Sequence, residues 1–85
     1  MDILSDDQKQ KVKQILVEQF AIDIEDIQEN SELGRDLGLD MLDIVELTMA
    51  LEMNFDCGIS DEDMHGLDTI SDVYRCLEKV LKINA

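Results

Sequence analysis

Few side chains in this sequence are spaced for covalent or metal chemistry, and the stretch DEDMHGLDTISD, residues 61–72, comes nearest. Asp61, Asp63 and Asp72 take the first, third and twelfth places of a twelve-residue window, with Gly66 at the sixth. That is the spacing of an EF-hand loop, in which carboxylates on alternating residues wrap a calcium ion around a glycine turn. The match is incomplete. His65 occupies a ligand place, Asp72 is shorter than the bidentate Glu used at the twelfth, and Asp68 stands where an apolar residue belongs. The entering segment FDCGIS is a poor helix, and no second loop follows. A small calcium-binding protein is therefore carried as the rival reading.

Other candidate chemistry is thinner. Cys57 and Cys76 have no CxxC spacing and no His or Cys cluster around them, so they read as two reduced, partly buried thiols, with a single disulfide between them as the alternative. His65 is the only histidine and reads as a surface residue without a catalytic partner. No Ser/His/Asp or Cys/His set, metal-ligand cluster or glycine-rich phosphate loop can be assembled, so neither an enzyme nor a metal site is expected.

The elements that would position these residues are helical. With 85 residues, 45% apolar and 4% aromatic, the chain suits one small domain over residues 1–85, its core built from Leu, Ile, Val and Met. Ser5 with Gln8 is a capping box opening a helix through about Phe20, with Val12, Ile15, Leu16 and Phe20 as its core stripe. Residues 21–39 form a long connection pinned by Ile22, Ile24, Ile27, Leu33, Leu37 and Leu39, with Gly34 and Gly38 allowing tight turns. Asp40 caps a second helix, Asp43 lies at its third position, and Asn54 and Gly58 mark its end. Ser60 with Asp63 opens a short helix that Gly66 stops. Thr69 with Asp72 opens the last one, striped by Ile70, Val73, Tyr74, Leu77, Val80 and Leu81, with Lys79 and Lys82 in its final turns. No strand is expected.

Charge is unevenly placed. Residues 1–20 hold four acids and three bases, and residues 69–85 hold two acids and three bases. The stretch between them has fifteen acids against Arg35 alone, so it accounts for the net −14. Such a field repels nucleic acid and anionic membranes and attracts basic protein surfaces. No apolar run approaches the roughly 18–20 residues a membrane span needs, and the N-terminus does not resemble a signal peptide, so a cytoplasmic monomer is expected.

On a helical wheel the second helix is apolar on two sides. Ile44, Leu47, Thr48, Leu51 and Phe55 share one arc, and Leu42, Val45, Met49 and Met53 the opposite one, flanked by Asp43, Glu46 and Glu52. So small a domain has little material to cover both arcs. An exposed apolar stripe edged by charge is the composition of a protein-docking surface.

The run DLGLDMLDIVELTMALEMNFDCGISDED resembles the central region of acyl carrier proteins, whose hallmark is Asp-Ser-Leu at this helix start and an Asp-x-Val-Glu-Leu pattern after it. The likeness extends over nearly the whole chain. It implies an all-α four-helix bundle with three longer helices, one short helix and a long first loop. It also implies a role in fatty-acid or related lipid or polyketide biosynthesis, with acyl chains carried as thioesters on a 4'-phosphopantetheine arm. Synthases, reductases, transferases and the phosphopantetheinyl transferase would be the partners. By the same resemblance, docking falls to Asp40, Leu42, Asp43, Val45, Glu46, Met49 and Glu52.

One residue departs from the pattern. Where the family has the serine whose hydroxyl bears the arm, this chain has Met41. A thioether has no O–H to phosphorylate, so 4'-phosphopantetheine is not expected to attach here. Three accounts stay open: a replacement introduced to keep the protein unmodified, a natural non-carrying relative that regulates or scaffolds acyl enzymes, or a protein that binds a lipid non-covalently. Arg35 also stands where the family commonly has an acid, which leaves at most weak ion binding by Asp40 and Asp43.

Overall fold

In the computed structural model, which describes residues 4–84 with side chains through Leu81, the chain folds into four α-helices. They are α1 (Asp6–Phe20), α2 (Met41–Phe55), α3 (Asp61–His65) and α4 (Ile70–Asn84). The starts lie where the capping residues place them. The Ser5 side chain accepts from the Gln8 N–H at 3.2 Å while the Ser5 N–H donates to the Gln8 side chain at 2.8 Å. Asp40 and Asp43 make the same reciprocal pair at the head of α2, at 2.9 and 3.1 Å. Ser60 accepts from the Asp63 N–H, and Thr69 and Asp72 bond each other's backbone N–H groups. Each start thus satisfies orphan helix donors with a local acceptor.

Helix α1 ends at Phe20 and Gly66 caps α3, as expected, but the end of α2 differs. Asn54 and Gly58 do not stop α2; Asp56 does, at φ 51. Ala21 closes α1 in the same left-handed region, at φ 54. Neither position carries the glycine that sequence reading looks for. At both, the following residues are drawn toward the core: Ile22 is buried after Ala21, and Cys57 is half-buried and Ile59 buried after Asp56. Gly38 does need its glycine, since it sits at φ +72, whereas Gly34 does not have a positive φ.

The connection over residues 21–39 contains a 3₁₀ turn, Ile24–Asp26, that periodicity does not reveal. Ile22, Ile27, Leu33 and Leu39 enter the core and Leu37 packs against it. Ile24 is the exception at 53% exposed, because the 3₁₀ turn directs it outward. Backbone bonds tie this connection to the head of α4: Leu33 N–H to Asp68 O at 2.8 Å, Ile70 N–H to Ser31 O at 3.0 Å and Ser71 N–H to Glu29 O at 2.8 Å. They make the only bridge-like pairing among the described residues, Glu32 with Thr69, and no strand forms there.

One continuous core results. Val12, Leu16, Leu33, Leu47, Leu51, Ile70, Val73 and Leu77 are its most enclosed members. Leu4, just ahead of α1, is buried too, which no periodic pattern could show. Leu81 and Phe20 pack at the margin, and the Lys82 side chain lies outside the described residues.

Candidate functional site

Residues 61–65, the first half of the EF-hand-like window, are helical, so the chain does not wrap there as a cation loop. Two of its carboxylates, those of Asp63 and Asp72, are also engaged. Lys79 Nζ donates to Asp63 at 3.0 Å across the α3–α4 gap, and Asp72 accepts from Asp68 and Thr69 N–H groups and pairs with Arg75. The Lys79 hydrogen bond holds the Asp63 carboxyl below the usual carboxylate range. Burial pushes Asp72 the other way, and its N–H donors and Arg75 outweigh that push to leave it lowered as well. The calcium reading loses its loop.

Both cysteines are half-buried thiols without a disulfide. Burial, with Asp63 beside it, pushes the Cys76 thiol up to about 11, and burial with Glu52 and Asp56 raises Cys57. Neither is poised as a nucleophile, since a thiol attacks as its thiolate.

The exposed face of α2 is the feature that stands out. Leu47, Thr48, Ala50 and Leu51 line its buried side. On the opposite side Leu42 is 73% exposed, Met49 57% and Met53 83%, with Val45 half-buried between them. Met41, at the first helical position, is 59% exposed. With Ile24 these are the exposed large apolar side chains among the described residues, so almost all of that surface lies on one helix.

The acids around this face are not equivalent. Asp40 and Asp43 each commit one oxygen to the helix-start pair. Glu52 folds back so that its Oε2 accepts the Ile59 N–H at 2.8 Å, tying the flank of α2 to the α2–α3 connection. Sequence reading missed that contact, because a side chain reaching seven residues ahead out of a helix leaves no periodic signal. Glu46 is exposed and has no hydrogen bond or ion pair among the described residues, so its charge faces solvent.

At the helix start a cleft of about 290 Å³ opens beside Met41, floored by Leu39, Ile44 and Leu67. Arg35, loosely paired with Glu32 at 3.8 Å, stands at its rim. No hydroxyl lies in the first turn of α2. The described serine and threonine hydroxyls are all engaged elsewhere: Ser5, Ser60 and Thr69 cap helices, Ser31 donates to Asp26 O, Thr48 donates to Ile44 O, and Ser71 accepts from Arg75. None offers an acceptor for a phosphoryl group where Met41 sits.

Comparison with known proteins points one way. The family described as "Phosphopantetheine attachment site" matches residues 10–77. An acyl carrier protein of Bdellovibrio bacteriovorus is 49% identical over 69 residues, covering 81% of this chain and 88% of the relative. One from Campylobacter lari is 44% identical over 71 residues, covering 84% of this chain and 92% of that protein. The crystal structure of an acyl carrier protein from Thermotoga maritima superposes with a TM-score of 0.80 at 26% identity, covering 89% of this chain and 88% of the other.

Proposed function

Since this chain belongs to the acyl carrier protein family, we propose that it serves fatty-acid or related acyl biosynthesis by docking acyl-processing enzymes through α2 without bearing the arm itself. The observation that carries this reading is the apolar face of α2, exposed and edged by carboxylates. An apolar centre with a charged rim suits a basic groove on a partner, where burial supplies affinity and complementary charge supplies orientation and rate. Asp40, Leu42, Asp43, Val45, Glu46, Met49 and Glu52 form the contact set. The partners are synthases, reductases, transferases and the phosphopantetheinyl transferase. The protein acts as a cytoplasmic monomer, by contact rather than catalysis.

Met41 sets the second half of the proposal. The family's 4'-phosphopantetheine is joined through a hydroxyl oxygen, and the thioether at this position has none. The residues present do not fit the group.

The test is intact mass after incubation with a phosphopantetheinyl transferase and coenzyme A. Met41→Ser should gain the arm and the unaltered chain should not. Mass added to the unaltered chain would overturn the non-carrying reading. Failure of both proteins to bind the transferase would overturn docking. Within the contact set Glu46→Lys is the sharpest probe, because Glu46 has no local hydrogen-bonding role to lose. It should weaken binding and flatten its salt dependence together.

A further inference from the structure

Met41, Val45, Met49 and Met53 are spaced four residues apart, so they form a single ridge along α2. Its three sulfurs belong to side chains more than half exposed, at 59%, 57% and 83%. Met64, in α3, is half-buried. The exposed thioethers among the described residues are thus concentrated on the one apolar face without cover, in a protein whose cysteines are held as unreactive thiols. We propose that this ridge is a site of reversible two-electron oxidation, in which a peroxide converts Met41, Met49 and Met53 to sulfoxides and turns the face from apolar to polar.

The chemistry balances without further reagents. A sulfur lone pair attacks one peroxide oxygen, the O–O bond breaks and an S–O bond forms. The transferred oxygen's proton passes to the departing oxygen, which leaves as water, while sulfur loses two electrons. A thiol-dependent sulfoxide reductase reverses the step: two thiols close to a disulfide and the sulfoxide oxygen leaves as water. None of the three side chains supports the core, so oxidation changes the surface and leaves the bundle folded. The sulfoxide is a strong acceptor, and burying it in an interface built for a thioether leaves that acceptor unpaired. The consequence for docking rests on the reading above; the modification itself does not.

The experiment treats the full chain with hydrogen peroxide and maps oxidised peptides over time. It then measures retention on a phenyl matrix and affinity for a phosphopantetheinyl transferase. Residues 41, 49 and 53 should each gain one oxygen before Met64 does, with Met53 first. Oxidised protein should keep its helical circular dichroism, elute earlier from phenyl and bind the transferase about tenfold more weakly, with reductase restoring both. The Met41→Leu/Met49→Leu/Met53→Leu variant keeps an apolar ridge of similar volume, and its phenyl retention and transferase affinity should not change under the same peroxide treatment. Ridge sulfurs that stay unmodified while Met64 is oxidised would overturn the proposal. So would full oxidation with retention and affinity unchanged. If the reduced protein binds no transferase while mapping and retention behave as stated, the docking reading falls and the oxidation site stands.

Discussion

Helices α2 and α4 are each fifteen residues long and use their apolar side chains differently. In α4, Ile70, Val73, Tyr74, Leu77 and Val80 are all buried on one stripe, and Arg75 and Lys79 point outward. In α2 the buried side is narrower, and Leu42, Met49 and Met53 stand in water. Exposed apolar area contributes nothing to a monomer's stability and raises its tendency to associate. Both helices help hold the bundle together, and α2 alone also keeps an apolar face in water, the face proposed above for docking. Overall hydrophobicity would not distinguish the two roles, since α2 is the more apolar helix. What distinguishes them is how many directions the apolar residues face.

The largest effect expected from breaking this contrast is in α4. Leu77→Ala removes a fully enclosed side chain and should destabilise the protein by about 2–5 kcal/mol, read by urea unfolding. For a domain with roughly 5–15 kcal/mol to lose, that is a large share. Next comes the head of α2, where Asp40→Ala opens the reciprocal pair with Asp43. It should cost about 0.5–2 kcal/mol in the same assay, because the Asp43 N–H loses its side-chain acceptor at the helix start.

Leu42→Ser is the converse of Leu77→Ala. Its effect on unfolding should stay within about 0.5 kcal/mol, as for most surface substitutions. Its effect on partner affinity should exceed about 1 kcal/mol, read by titration calorimetry. A Leu42→Ser protein that unfolds easily, or that binds as before, would erase the distinction between the helices.

The smallest effect belongs to the link between α3 and α4. Asp63 is held below its unfolded value of 3.8 by Lys79. A carboxyl with a lowered folded value contributes stability above the unfolded value and loses it as the pH falls through the folded one. Asp63→Asn should therefore be slightly less stable than the parent at neutral pH. The two unfolding curves should converge as the pH is taken below 3.8. A gap that persists there would assign the effect to packing rather than charge.

Much of the fold is legible in the sequence because helix starts are local events. Ser5 with Gln8, Asp40 with Asp43, Ser60 with Asp63 and Thr69 with Asp72 all cap where their types and spacing say they should. The two-sided wheel of α2 likewise separates Leu47 and Leu51 from Leu42 and Met49 before any coordinates are seen. What stays hidden depends on distant parts of the chain. Ile24 faces outward because of a 3₁₀ turn, and the strapping of residues 29–33 onto residues 68–71 is made by backbone groups, which carry no residue identity. Glu52 looks like one more acid on a rim until the fold brings the Ile59 N–H to it. The calcium-like spacing at 61–72 fails for a related reason. Local capping by Ser60 turns its first residues into helix.

The glycine-free exit from α2 matters for anyone who would imitate that helix. Asp56 takes up its left-handed turn because the residues beyond it are anchored in the body of the protein. A synthetic peptide spanning residues 40–58 would keep its start signal and lose that anchor, so its C-terminal end should fray or run on. Glycine at position 56 would give such a mimic a stop of its own.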